Sequence, residues 1–287
     1  MAYLSYGTHT IRYELSGPET GPAYVLVNGL TQYAELWEAY RDALVAKNFR
    51  VVTFDLLGQG ESDKPSLFIS QDDHVAVLRL LIDQLGDGPV FLAGISFGGI
   101  VALRYAIESG HRLAGLVAMS TFAELPPQLF LLGNVMRTGL ILGGTSYLQD
   151  MLLPMNLSDA WLAPLLDKLE SVKRQGWLVN DVYALQNLME SFLDFKPLTP
   201  RPLHDTLRSH IADSALVIVP RGYHAFTLEK SALTADLLVR FATDVMAKRW
   251  KGGGSVWIAP DEAGGEIEPF PEGYDHLRAL PIRLAST

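Results

Sequence analysis

The sequence predicts an α/β fold: a mostly parallel sheet covered by helices on both faces and interrupted by a helical cap. Three observations predict it. Short apolar runs occur at 24–27, 51–54, 90–93 and 115–119, helix-period stretches separate most of them, and the period changes after Ser120. Strands buried on both faces read as unbroken apolar runs, and strands alternating with helices favour parallel crossovers.

Each element follows in order. Residues 10–15 alternate like a half-buried strand and stop at Ser16-Gly17-Pro18. The run at 24–27 leads to an amphipathic stretch at 34–46, and the run at 51–54 to another at 72–85. The run at 90–93 precedes a helical run at 99–106, and a further strand is predicted at 115–119. From 122 to about 195 no strand stands out, while Leu, Met, Trp and Phe recur at helical spacing, which marks an inserted cap. Alternation resumes with an apolar strand at 216–220 and a helix from about 230 to 250. Lys251-Gly252-Gly253-Gly254 reads as a hinge, and the Gly-, Pro- and acid-rich tail beyond it carries one short strand signal at 255–258. The expected organisation is a core of 1–121 and 201–250, a cap of 122–200 and a tail of 251–287.

Composition narrows the function classes. With 48% hydrophobic and 19% charged residues the chain has the makeup of a packed globular protein, and its 287 residues suffice for one α/β domain with an insertion. A net charge of −9 argues against nucleic acid or an anionic membrane surface as partner. The absence of cysteine excludes disulfides, a thiol nucleophile and a thiolate metal site. The first residues lack the basic and apolar regions of a secretion signal. The most apolar stretch, 129–142, is too short to span a bilayer and contains Arg137. The expectation is a cytoplasmic protein acting on a small molecule, with no cofactor and no metal.

The chemistry concentrates at Gly94-Ile95-Ser96-Phe97-Gly98. Between a predicted strand and a predicted helix, this pattern forms a sharp turn that lifts a serine hydroxyl clear of the sheet, and the glycines permit the turn and the close helix behind it. Val27-Asn28-Gly29-Leu30 ends the first parallel strand, so the backbone amides of Leu30 and Phe97 are the expected oxyanion donors. Arg221-Gly222-Tyr223-His224-Ala225-Phe226 follows the last strand and brings an imidazole to the same sheet edge. The Gly-rich turn from Asp55 to Asp63 lacks the Lys-Ser/Thr of a phosphate loop and reads as structural. His74, His111, His204, His210 and His276 lack a strand-end context and read as solvated, and no His/Asp/Glu group has metal-ligand spacing.

These segments together resemble the α/β-hydrolase superfamily over about 10–247, in the family's order. Within it, Val27-Asn28-Gly29 and Asp72-Asp73 ahead of a Leu-rich helix are similar to the rhamnolipid-precursor acyltransferases, which join two 3-hydroxyacyl chains. The resemblance implies a serine nucleophile at Ser96, a base at His224 and an acid after a strand lying between those at 115–119 and 216–220. No such strand is recognised, because 182–195 reads as an amphipathic helix and 203–211 as another. Either the sheet is one strand short and the last strand pairs with the one at 115–119, or residues before Asp194 are recruited as a strand. Asp194, ahead of Thr199-Pro200, is the candidate acid, and Glu124 is the runner-up.

The implied activity is cleavage of carboxylic esters or thioesters with an apolar acyl chain, through an acyl-enzyme on Ser96. The alternatives are acyl transfer between 3-hydroxyacyl chains and a weak or inactive relative. The apolar side chains expected to receive the acyl part are Leu129, Phe130, Leu131, Met136, Leu140, Ile141, Met151 and Leu152.

Overall fold

The computed structural model describes residues 1–194, 211, 213–253, 255–259 and 279–281. Most of the helix expected at 203–211 and most of the tail lie outside these, as do His204, His210 and His276.

The chain opens with β1 (Ala2–Tyr6), which sequence reasoning did not anticipate, and β2 (His9–Ser16), an antiparallel pair. β3 (Ala23–Val27), β4 (Arg50–Phe54), β5 (Val90–Ile95) and β6 (Leu113–Met119) complete a six-stranded sheet in the order β1-β2-β4-β3-β5-β6. From β4 to β6 every pairing is parallel. β3 and β5 are buried along their whole length, which explains their unbroken apolar sequences.

Side-chain alternation sorts the core into two layers. Val25, Val27, Val52, Phe54 and Leu92 face α2 (Gln71–Asp83) and α3 (Phe97–Ser109). Tyr24, Leu26, Val51, Phe91 and Ala93 face α1 (Glu38–Val45) and the final helix Ser231–Met246. The stretch read as one helix at 34–46 divides into a 3-10 turn, Ala34–Trp37, and α1. α2 starts at a capping box: the Ser70 hydroxyl accepts from the Asp73 amide, and the Asp73 carboxylate accepts from the Ser70 amide.

After a short bend beyond β6, the described part of the insertion consists of helices joined by short connections. α4 (Pro127–Asn156) bends at Gly144, whose φ of 67° and ψ of −166° interrupt the helix. α5 (Asp159–Leu162), α6 (Leu169–Val179) and α7 (Val182–Leu193) follow. The apolar residues expected to line an acyl site divide between roles. Leu140 is fully buried in the core, Leu129, Met136 and Leu152 pack against that core, and Phe130 and Ile141 are exposed. Leu131 and Met151 line an open hollow of about 740 Å³ with Val135, Leu142 and Tyr147 of the same bent helix.

The last predicted strand departs from both expectations. β7 (Ala215–Ile218) pairs with neither β6 nor a recruited segment, but forms a separate parallel sheet with β8 (Ser255–Ile258) and β9 (Ala279–Pro281). The residues before Asp194 are the helix α7. An apolar run marks a strand but not which strand it will pair with, and half-buried β7 pairs in parallel with β8.

Candidate active site

Ser96 stands alone between β5 and α3 with φ 53° and ψ −120°, a backbone conformation that costs a non-glycine residue on the order of 1–3 kcal/mol. Its surroundings over-determine it. The Ser96 amide donates to the Met119 carbonyl of β6 at 2.9 Å, and its carbonyl accepts from the Gly99 amide at 2.9 Å and the Thr121 hydroxyl at 2.8 Å. Two glycines allow the close approach. A Cβ on Gly94 would lie 2.4 Å from the Gly98 carbonyl oxygen, and one on Gly98 would lie 2.3 Å from the Asn28 carbonyl oxygen. The start of α3 therefore touches the end of β3.

The predicted oxyanion donors flank that contact in the chain, Leu30 two residues after Asn28 and Phe97 directly before Gly98. The Phe97 amide is at the first position of α3, where no acceptor exists within the helix. Among the described residues, neither it nor the Leu30 amide donates a hydrogen bond. Asn28 is wholly buried, and its side chain is committed to structure, donating to the Phe54 carbonyl at 2.7 Å and accepting from the Trp37 indole at 2.6 Å.

His224 reaches this point from the other side: its Nε2 lies 3.1 Å from the Ser96 Oγ. The loop that carries it is fastened to the insertion and to α1. The Ala225 amide donates to the Asn156 carbonyl at 3.1 Å, the Glu229 carboxylate accepts from the Ser158 amide at 2.6 Å, and the Tyr40 hydroxyl donates to the Thr227 carbonyl. His224 is exposed at the protein surface, and the protein atoms around it lower its pKa below the ordinary histidine value by desolvation. A neutral imidazole beside a serine hydroxyl is the arrangement a general base requires.

The structure does not bring Asp194 to His224. Asp194 ends α7 as an exposed residue, its amide bonded to the Glu190 carbonyl at 2.9 Å. Glu124 is half-buried at the bend beyond β6 and is likewise not paired with the imidazole. Among the described residues no carboxylate hydrogen-bonds to His224, and none contributes to its pKa.

The Asp55–Asp63 turn is closed by its own hydrogen bonds. Asp55 accepts from the Ala34 and Glu61 amides at 2.7 and 2.8 Å, and burial raises its pKa. His74 corrects the reading of that residue as solvated: it is wholly buried, edge-on to the Phe97 ring at 5.3 Å, with its pKa pushed down to about 4. Sequence reasoning also missed Gln59, which is wholly buried between the turn and the Gly29–Thr31 loop. Among the described residues no group of three His, Asp or Glu side chains could hold a metal, and no helix is long and apolar enough to cross a membrane.

A six-stranded, largely parallel sheet with helices on both faces, a helical insertion and a serine at a strained strand–helix turn define an α/β-hydrolase architecture. The comparisons agree. Residues 22–142 match the family model described as alpha/beta hydrolase fold, a span that contains Leu30, Ser96 and Phe97 and ends before His224. Lipase LipV of Mycobacterium tuberculosis is 38% identical over 118 residues, which are 41% of this chain and 42% of that protein. Haloalkane dehalogenase 2 of Mycobacterium bovis is 36% identical over 106 residues, 36% of each chain. The matches thus span well under half the length of these curated relatives. Among solved structures, a thermophilic esterase from Thermogutta terrifontis superposes with a TM-score of 0.70 at 19% identity, covering 85% of this chain and 99% of that one. The enol-lactonase from Burkholderia xenovorans LB400 does so with a TM-score of 0.71 at 18% identity, covering 84% and 100%. The chain has the α/β-hydrolase fold, which bears out the resemblance to that superfamily read from its sequence.

Proposed function

We propose that this protein is a serine hydrolase that cleaves carboxylic esters or thioesters carrying an apolar acyl chain. What carries the reading is the 3.1 Å approach of His224 Nε2 to the Oγ of a serine held at a strained turn. In the neutral tautomer with the proton on Nδ1, Nε2 accepts the hydroxyl proton as Ser96 Oγ bonds to the acyl carbon. The carbonyl oxygen, now an anion, accepts from the unengaged amides of Leu30 and Phe97. The alcohol or thiol then departs with the proton from Nε2, leaving an acyl-serine. Water attacks that ester, passes a proton to Nε2, and the free acid leaves as Ser96 regains its hydrogen.

Hydrolysis is favoured over transfer to a hydroxyacyl chain because His224 is exposed, so water has access to the base. The two features that resemble the acyltransferases have structural explanations here: Asn28 ties Trp37 to β4, and Asp73 caps α2. The names of the lipase and the esterase among the similar proteins support the ester class.

The test is labelling with a fluorophosphonate probe followed by peptide mapping, with Ser96→Ala as control. Labelling at Ser96 and loss of p-nitrophenyl ester turnover by roughly a hundredfold or more in the folded variant are expected, since nucleophile and base act as a unit and no carboxylate supports the base of the parent. An unlabelled parent, or an active Ser96→Ala, would remove the assignment. Product analysis with a 3-hydroxyacyl acceptor present separates hydrolysis from transfer.

A further inference from the structure

The loop that bears the Leu30 amide is gripped on both sides of that residue by one buried side chain. Gln59 accepts from the Thr31 amide through Oε1 and donates to the Gly29 carbonyl through Nε2 at 3.0 Å. Gln59 is wholly buried, in a turn that is itself closed by a bond from the Gly58 amide to the Asp63 carbonyl at 2.8 Å. A third bond arrives from the insertion: Asn180, which ends α6, donates from Nδ2 to the Thr31 carbonyl at 3.1 Å. Thr31 has a positive φ of 65°, a conformation a β-branched residue rarely adopts unless neighbours hold it there. Gln59 and Asn180 between them engage both backbone polar groups of Thr31, and Gln59 engages the carbonyl of Gly29. The Leu30 amide between them is left without an acceptor.

We propose that Gln59, together with Asn180 from the helical insertion, is the positioning pair of the oxyanion hole, fixing the direction of the Leu30 amide. Neither side chain touches the reacting atoms; both act through the backbone of residues 29–31. The inference rests on the hydrolase reading above and extends it. It also couples the insertion to the chemistry, since a movement of α6 that breaks the Asn180 bond releases one of the hydrogen bonds that hold residues 29–31, where Gln32 Oε1 also accepts from the Gly29 amide at 2.8 Å. An oxyanion donor is useful only when aimed at the oxygen of the transition state, and a displacement of about 1 Å costs on the order of a hundredfold in rate.

The test measures kcat and KM of the parent, Gln59→Met and Asn180→Leu on a p-nitrophenyl ester and on its thiono counterpart. Sulfur in place of the carbonyl oxygen is a weaker acceptor, so an aimed hole prefers the oxygen ester. Gln59→Met keeps length and removes both bonds. It is expected to lower kcat on the oxygen ester by roughly ten- to a hundredfold with KM little changed, and to reduce the oxygen-to-sulfur preference in step. Asn180→Leu should move both quantities the same way by a smaller factor. It also deletes a buried oxygen that has no partner, which favours its folding. Should Gln59→Met fail to fold, Asn180→Leu decides. An unchanged oxygen-to-sulfur preference in the folded variants overturns the proposal, whatever happens to the rate, because a purely structural role would leave that ratio alone. A parent that turns over neither ester and takes no fluorophosphonate at Ser96 overturns the hydrolase reading and this one with it.

Discussion

His224 Nε2 lies 3.1 Å from Ser96 Oγ although the strand that precedes His224 belongs to a different sheet from the one that carries Ser96. The imidazole is positioned by the three contacts of its own loop, to Asn156, Ser158 and Tyr40, rather than by a neighbouring strand. Two of those three lie on the helical insertion, so the position of the imidazole depends on the insertion.

The acid limb of the pH–rate profile should lie below the ordinary histidine value. Desolvation lowers the pKa of His224, so the imidazole stays neutral, and able to accept the Ser96 proton, down to a pH under the usual 6.5. Activity is expected to rise through that lowered midpoint and to hold above it. A kcat/KM profile whose acid midpoint sits above 6.5 would show instead that a carboxylate stabilises the imidazolium.

Removing either candidate acid should change little. With neither Asp194 nor Glu124 paired with His224, Asp194→Asn and Glu124→Gln are each expected to stay within about threefold of the parent in kcat. The parent should be slow for this fold, because loss of the acid from a triad costs on the order of 10⁴ in turnover. A hundredfold drop in either variant would identify that residue as the acid. A fast parent with both variants indifferent would mean that another carboxylate serves.

Acid should destabilise the fold through His74. Its folded pKa of about 4 is depressed from 6.5 by burial, and neither ring nitrogen has a partner. Between those two values the unfolded chain binds the proton and the folded one does not, so stability is complete above 6.5 and falls as the pH falls towards 4. The full loss amounts to roughly 3 kcal/mol. Urea midpoints measured at neutral pH and near pH 4.5 should diverge less in His74→Phe than in the parent; equal divergence would exonerate His74.

The preferred ester should have an acyl part longer than acetyl. The insertion presents Leu131, Val135, Leu142, Tyr147 and Met151 around an apolar hollow, although Ser96 and His224 do not line it. Each methylene removed from water is worth about 0.8 kcal/mol, so a few carbons shift kcat/KM by one to two orders of magnitude. A p-nitrophenyl ester series from acetate upward measures this, and an optimum at acetate would contradict it.

What the sequence determined by itself was local. The unbroken apolar runs of β3 and β5, the glycines around Ser96 and the helical period of 122–193 each follow from residues close together in the chain, where burial and backbone geometry act directly. They were enough to predict the layered sheet and the turn at Ser96. Tertiary structure alone decided the rest. The partner of β7 depended on a strand 40 residues further on, and the buried environment of His74 depended on a helix packing against Phe97. The clamp of Gln59 on Gly29 and Thr31 joins two turns that no local pattern connects. Strand pairing and side-chain hydrogen bonds are choices among distant partners, and such a choice is made only when the whole chain has packed.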